Sequence, residues 1–118
     1  MEGVFMISQR DILLVPFPFS DQTGNKVRPV SVISNNEFNK SSEDLIVAGI
    51  TSNLLKDQYT ISLSPSDLES GVLRHESCIK VENILRIDRD LVIKNIGKIK
   101  KGKFRDVVGI LDDIFKID

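Results

Sequence analysis

The chain has 118 residues, a length that fits one domain with a real hydrophobic core and leaves no room for two. Its 16 basic and 17 acidic residues give a net charge of −1, so nucleic acid could be attracted only by a local basic patch. The single cysteine excludes an internal disulfide, and no apolar stretch approaches the ~20 residues of a membrane span. We therefore expect one cytoplasmic domain over residues 1–118, with residues 1–7 as a loose lead-in and no contact with a membrane.

Strand patterns dominate the first hundred residues. Branched, aromatic and alternating apolar residues predict strands, and clusters of Ser, Asn, Asp and Gly between them predict turns and loops. One segment, 64–71, combines helix-start residues with a closing glycine and predicts a short helical turn. The predicted strands are 11–19, 29–34, 45–51, 58–63, 77–85 and 92–99, and the predicted loops are 20–26 and 35–44.

The C-terminal segment follows a different period. Six apolar residues recur at helical spacing and predict an amphipathic helix of about three turns or more. These residues are Phe104, Val107, Val108, Leu111, Ile114 and Phe115. Strands joined by turns and closed by one helix predict a mainly β, α+β fold, a small, strongly curved antiparallel sheet or barrel with the helix sealing one face.

Several kinds of chemistry are missing from the sequence. There is no phosphate-binding glycine loop, no dinucleotide-binding motif and no zinc-ligand spacing. The only histidine, His75, is interpreted as a lone surface residue. A nucleophilic pair of Cys78 and His75 is formally available, but Cys78 lies within a strand pattern that favours a small packing residue. No metal site and no cofactor are expected.

Arg28 stands at the junction between a polar loop and an apolar strand. Its guanidinium presents five donors that match phosphate or carboxylate geometry, and the following Pro29 would hold the backbone in place. Either an anion-binding role or a structural ion pair with Asp21 or Asp44 is consistent with this position.

Two further stretches carry polar side chains beside strands. Apolar strand 45–51 ends in Thr51, followed by Ser52 and Asn53, which form either a simple turn or part of a site carried by the sheet. Lys80 and Glu82 are two residues apart on a strand and share one face, which is either the solvent side or the wall of a cleft.

Together these stretches resemble the MazF/PemK family of toxins from bacterial type II toxin–antitoxin systems. "RDILLVPFPFSDQTGNKVRPVSVIS" is similar to the family's first strand, its loop and its R-P-[VA]-x-V-[IL]-S strand, and "AGITSN" to its second block. "ESCIKVENILRIDRDLV" resembles the third block, S-x-[IV]-x-x-x-Q-[IL]-R-T-[IL]-D, and "IGKI" with the terminal helix also fits. The resemblance covers roughly residues 9–116.

The resemblance implies an SH3-like barrel of the MazF/CcdB/PemK type that forms a homodimer. It implies an endoribonuclease toxin that cleaves single-stranded RNA, such as mRNA, at short sequences without a metal ion, leaving a 2′,3′-cyclic phosphate and a 5′-hydroxyl. The implied partner is a cognate antitoxin, and contact with DNA is expected only through the antitoxin complex. The region 20–26 would form a flap over the RNA groove.

The resemblance also assigns roles to residues. Arg28 takes the place of the family's catalytic arginine and Thr51 that of its transition-state threonine, while Lys80 and Glu82 take the places of a basic residue and an acid implicated in the plasmid-borne branch. RNA contacts are expected from the residues around them, which are Phe19, Lys26, Ser52, Asn53, Ser77 and Asn83.

The third block departs from the family's pattern. Asn83 replaces the usual glutamine and keeps an amide, whereas Leu85-Arg86 replaces Arg-Thr and moves a charge, which affects RNA specificity more than cleavage. Because no pair of histidines exists, Glu82 is the candidate general base on the condition that it is buried.

Two other functions share this fold. A CcdB-like toxin that poisons gyrase relies on a C-terminal tryptophan, and this chain ends in "FKID" and has no tryptophan. A cleavage-dead relative would act as an RNA- or protein-binding module, and the presence of Arg28 and Thr51 argues against it.

Overall fold

Seven strands and two helices make up the residues that the computed structural model describes, which are 6–16, 26–54 and 57–118. Two single 3₁₀ turns, Pro65–Asp67 and Arg89–Leu91, connect strands. The strands are β1 (Asp11–Pro16), β2 (Val27–Val32), β3 (Asp44–Thr51), β4 (Thr60–Leu63), β5 (Leu68–Gly71), β6 (Ser77–Asp88) and β7 (Lys94–Ile99), and the helices are α1 (Asn36–Ser41) and α2 (Lys101–Ile114).

All seven strands belong to one curled antiparallel sheet. Its spatial order is β4-β6-β3-β2-β1-β7-β5, with the short strands β4 and β5 at the two edges. The predicted fold class, mainly β with a C-terminal helix, is confirmed. None of the described helices is long and apolar enough to cross a membrane.

Hydrophobic residues pack on both faces of the sheet because neighbouring residues of a strand point to opposite sides. Ile12 belongs to one buried cluster and the adjacent Leu13 to the other. The first cluster contains Ile12, Ala48, Ile50, Leu63, Ile79, Val81, Ile99, Phe104 and Val107. The second contains Ile7, Leu13, Val15, Val30, Val32, Leu45, Val47 and Ile87.

Helix α2 seals the first cluster, as its apolar spacing predicted. Phe104 and Val107 are buried among the strand residues, and Leu111 is half-buried beside them. The predicted apolar face was too wide, since Val108 is 40% exposed and Phe115 is 69% exposed. Half-buried Ile114, the last helical residue, still packs against this cluster, whereas Phe115 follows the helix and is exposed.

The prediction of a loop over 35–44 was wrong, because α1 lies within it. Asn35 caps the N-terminus of this helix, and its side-chain oxygen accepts a hydrogen bond from the Phe38 N–H at 2.9 Å. Asparagine is among the best residues at this position because it satisfies an otherwise unpaired N–H of the first turn.

The prediction of a helical turn over 64–71 was correct only for its first half. Residues Pro65–Asp67 form a 3₁₀ turn, and Leu68–Gly71 then form the edge strand β5 against β7. Gly71 has a φ of 89°, and a Cβ there would lie 2.2 Å from the Cα of Gly97. Glycine is therefore required at this position, where Gly71 of β5 pairs with Gly97 of β7.

Asp67 links this turn to the start of α2. Its carboxylate accepts hydrogen bonds from the Ser64 N–H at 2.8 Å and the Ser64 hydroxyl at 3.1 Å, and Lys103 Nζ lies 3.6 Å away. Burial acts to raise the pKa of Asp67, but the hydrogen bonds from Ser64 and the charge of Lys103 outweigh it and lower that pKa.

We expect Asp67→Asn to reduce the free energy of unfolding at pH 7 by up to about 1 kcal/mol. Because the pKa is lowered in the folded protein, the carboxylate stabilises the fold above the unfolded-state value of about 4 and ceases to do so as the pH falls through the lower folded-state value. Urea unfolding of both proteins at pH 7 and near pH 2.5 measures this. A difference that persists unchanged at the lower pH would contradict the ionic origin.

Candidate active site

A groove opens where β2 and β3 separate. The two strands pair from Val32 opposite Val47 to Val30 opposite Gly49, and both continue beyond that last pair. The groove has a volume of about 890 Å³ and is bordered by β1, β2, β3, β7 and the segment between β5 and β6. Its described lining combines residues that are far apart in the sequence, from Leu14 to Ile96.

Arg28 lines this groove from β2. It pairs in register with Val15 of β1, so its backbone is held by the sheet while its side chain is exposed. A structural ion pair with Asp44 is excluded, because Asp44 begins β3 and its carboxylate accepts from Arg86 Nε at 2.6 Å. Thr51, which lines the groove, is seven positions further along the same strand, a distance of about 23 Å.

Thr51 lines the groove from the end of β3. Continuing the register of β2 and β3 by two residues would set Thr51 opposite Arg28. The Thr51 hydroxyl accepts a hydrogen bond from the Asn53 N–H at 3.1 Å, which fixes its oxygen and leaves its own O–H to donate. Ser52 also lines the groove, whereas exposed Asn53 contributes through its backbone.

The described lining of the groove is strongly basic. Lys26, Arg28, Arg74 and Lys94 contribute four positive charges, and no carboxylate belongs to the described part of the lining. The rest of the chain offsets these charges, since the whole sequence carries a net charge of −1. The local basic patch that the composition left open therefore exists, and it coincides with Arg28 and Thr51.

Apolar side chains form part of the same lining. Leu14, Ile50 and Ile96 provide hydrophobic surface between the charged and hydroxyl groups. A groove lined by cations and by apolar side chains suits a polymer with a charged backbone and flat apolar bases.

The predicted site residues on β6 divide into two sets. Ser77 lines the groove, is buried, and its hydroxyl donates to the His75 carbonyl oxygen at 3.0 Å. Lys80 and Glu82 lie outside the described lining, with Lys80 Nζ 4.0 Å from Glu82 Oε2. The Glu82 side chain is 36% exposed, so the burial that a role as base requires is not observed.

A register shift explains the position of Asn83. Ala48 pairs with Ile84 but the next residue, Gly49, pairs with Lys80, so three residues of β6 bulge out of the ladder. The Asn83 amide lies over Gly49, where a Cβ would be 2.7 Å from Asn83 Nδ2. Asn83 is half-buried there and is outside the described lining of the groove.

Three of the sequence predictions fall on residues outside the described ranges. They concern Phe19, expected to contact RNA, most of the flap expected at 20–26, and Asp21, the other acid considered as an ion-pair partner of Arg28. Lys26, at the end of that segment, is described, is exposed and lines the groove.

Sequence reasoning missed the basic residues that reach the groove from other elements. Arg74 and His75 come from the segment between β5 and β6, and Lys94 from the start of β7. The only signal for the first two is their adjacency in "LRHES" just before a strand. The sequence contains no signal that this segment lines the same groove as Arg28.

Comparison with known proteins was made by sequence and by structure. The family model of PemK-like, MazF-like toxins of type II toxin–antitoxin systems matches residues 8–115. No curated protein sequence matches the chain.

Solved structures share the fold at low sequence identity. A MazE–MazF complex from Deinococcus radiodurans superposes with a TM-score of 0.78 at 15% identity, covering 97% of this chain and 100% of that one. An endoribonuclease in complex with its cognate antitoxin from a mycobacterial species gives 0.77 at 14%, covering 95% and 97%. The Mycobacterium tuberculosis toxin MazF-mt6 gives 0.74 at 17%, covering 92% and 99%.

Proposed function

Because the chain belongs to the PemK-like, MazF-like family of type II toxin–antitoxin toxins, we propose that it is a sequence-specific endoribonuclease toxin that cleaves single-stranded RNA without a metal ion. The observation that carries this proposal is the basic groove that Arg28 and Thr51 both line. Similar structures include proteins described as endoribonucleases.

The proposed reaction is attack of the ribose 2′-hydroxyl on the adjacent phosphorus. The bond from the 2′-oxygen to phosphorus forms as the bond to the 5′-oxygen breaks, which leaves a 2′,3′-cyclic phosphate and a 5′-hydroxyl. Negative charge accumulates on the non-bridging oxygens of the phosphorane, so donors that are already in place lower the barrier.

Arg28 and Thr51 supply donors of the required kind. The guanidinium of Arg28 binds two non-bridging oxygens with its planar fork of N–H donors. The Thr51 hydroxyl, held by the Asn53 N–H, donates to the same oxygens. Lys26, Arg74 and Lys94 attract the backbone phosphates on either side, and Ser52 and Ser77 contribute hydroxyls to the same wall.

The partners follow from the same groove. We expect a cognate antitoxin, since similar structures contain MazF with MazE or an endoribonuclease with its antitoxin. An acidic, disordered tail of such an antitoxin would complement four lining cations and compete with RNA. The toxin would act in the cytoplasm as a homodimer and meet DNA only through the antitoxin complex.

The test is an incubation of the purified protein with a long single-stranded RNA in excess EDTA, followed by mapping of the cut ends. Cuts at a defined short sequence with 5′-hydroxyl and 2′,3′-cyclic phosphate ends are expected. Cleavage that disappears with the chelator would contradict the metal-independent reaction. RNA binding without cleavage would indicate a binding module instead, and gyrase inhibition without RNA cleavage would indicate a CcdB-like toxin.

Thr51→Ala is expected to lower the single-turnover cleavage rate by about 10²-fold, because one preorganised donor to the phosphorane is removed. Thr51→Ser keeps the hydroxyl and the acceptor for the Asn53 N–H, so its rate should stay within a few-fold of wild type. Rates are measured on a short RNA that contains one mapped site. Equal rates for the alanine and serine variants would remove Thr51 from the mechanism.

A further inference from the structure

The groove contains one side chain that sequence reasoning had left as an ordinary surface residue, His75. Resting on the function proposed above, we propose that His75 is the general base of RNA cleavage and takes the proton from the attacking 2′-hydroxyl. Glu82, the acid first considered for this role, lies outside the described lining.

The segment that carries His75 is fixed at both ends. On one side the Val72 N–H donates to the Ile96 carbonyl at 3.0 Å, and half-buried Leu73 packs against the first hydrophobic cluster. On the other side the His75 carbonyl accepts from the buried Ser77 hydroxyl at 3.0 Å. The imidazole is therefore exposed to the groove on an anchored backbone.

The sheet brings this segment close to Thr51. Cys78 on β6 pairs in register with Thr51 on β3. His75 is three residues before Cys78, which corresponds to about 10 Å of extended chain. Thr51, at the end of β3, and His75 both line this groove.

Among the described lining residues, only His75 can accept a proton at neutral pH. Lys26, Arg28, Arg74 and Lys94 are cations, and hydroxyl groups such as those of Thr51 and Ser52 are not bases in this range. A neutral imidazole is the side chain best suited to this step, because its charge changes between about pH 5 and 8.

The proton balance of the step is complete. The neutral imidazole accepts the proton of the 2′-hydroxyl while the 2′-oxygen forms its bond to phosphorus. The bond between phosphorus and the 5′-oxygen breaks, its electron pair stays on the 5′-oxygen, and that oxygen takes a proton from water. The hydroxide produced removes the proton from the imidazolium, so His75 is neutral again.

The pH dependence of the cleavage rate should reveal whether the imidazole is the base. The other charged groups in the described lining are Lys26 just before β2, Arg28 on β2, Arg74 beside His75 and Lys94 at the start of β7, all of them basic. Because the base must be unprotonated to act, the wild-type single-turnover rate should rise with pH on the acid side of the profile and then level off. This rise of the rate at acid pH, the acid limb of the profile, should depend on His75 alone among the residues of the described lining.

His75→Gln tests the proposal on a short RNA with one mapped site. We expect the plateau rate to fall at least about 10²-fold and the acid limb to disappear, with the thermal midpoint and the affinity for a 2′-deoxy, uncleavable RNA unchanged. In His75→Ala, added free imidazole should restore part of the rate. Glu76→Gln, an exposed neighbour outside the described lining, is the matched control and should behave as wild type.

The outcomes separate this proposal from the function on which it rests. A His75→Gln variant with the wild-type rate and acid limb, in a protein that does cleave RNA, overturns the role of His75 alone. An acid limb that survives in His75→Gln but is lost in Glu82→Gln gives the role to Glu82. A wild-type protein that cleaves no RNA overturns both proposals.

Discussion

Replacing Arg28 by alanine is expected to reduce the single-turnover rate of RNA cleavage by at least about 10³-fold. The guanidinium supplies two aligned donors and a full positive charge to the phosphorane, and a single arginine that stabilises phosphoryl transfer contributes 10³–10⁵-fold by order of magnitude. A loss of ~10³ corresponds to about 4 kcal/mol of transition-state stabilisation. Because the Arg28 side chain is exposed, the thermal midpoint should change little.

Two variants serve as controls for Arg28→Ala. Arg28→Lys keeps the charge but loses the planar fork, so its rate should fall between those of wild type and alanine. Arg105→Ala removes an exposed arginine on α2 outside the groove and should keep the wild-type rate. If Arg28→Ala and Arg105→Ala cleaved at the same rate, Arg28 would have no part in the chemistry.

Replacing Phe104 by alanine is expected to lower the free energy of unfolding by about 3–5 kcal/mol. Its ring is 6% exposed and packs in the first hydrophobic cluster, where α2 covers the sheet. Truncation removes the buried apolar surface and leaves a cavity that the surrounding strands fill only in part. A domain of this size should lose about 10–20 °C in its thermal midpoint.

Phe115→Ala is the matched control, since it makes the same chemical change at the other end of the helix. Phe115 is 69% exposed, so its removal should change the free energy of unfolding by less than about 0.5 kcal/mol. Urea unfolding of the two variants measures the difference directly. Equal losses would show that α2 covers the sheet with a different face.

The six-residue apolar pattern of α2 predicted both phenylalanines to be buried. Helical spacing identifies the apolar face but not the length over which another element covers it. Phe104 lies in the first turn against the sheet, whereas Phe115 follows the last helical residue, Ile114. The extent of cover depends on tertiary packing, which a periodicity does not contain.

The other errors of the secondary-structure prediction have physical causes as well. The stretch "NNEF" contains a suitable helix N-cap in Asn35, but the surrounding cluster of polar residues was assigned to a loop. Strand β5, only four residues long, exists through its pairing with β7 rather than through a pattern of its own. Short edge elements are the hardest to predict, because their partners are distant in sequence.

The sequence predicted those site residues whose positions follow from the strand order of the family that the chain resembles. Arg28, Thr51, Ser52, Lys26 and Ser77 do line one groove. The alternation that put Lys80 and Glu82 on one face was also correct, but the face lies outside the described lining. The three-residue register shift between β3 and β6 could not be read from alternation, because it depends on the pairing of two strands.

The most direct test of the account uses two RNA oligonucleotides that differ by one oxygen. One carries the mapped cleavage site as RNA, and the other has a single 2′-deoxynucleotide at the position whose 2′-hydroxyl attacks. With excess EDTA, we expect the first to be cut at that site and the second to remain intact while it binds in the groove with similar affinity. Cleavage of both at equal rates would show that the 2′-hydroxyl is not the nucleophile and would contradict the mechanism built on Arg28 and Thr51.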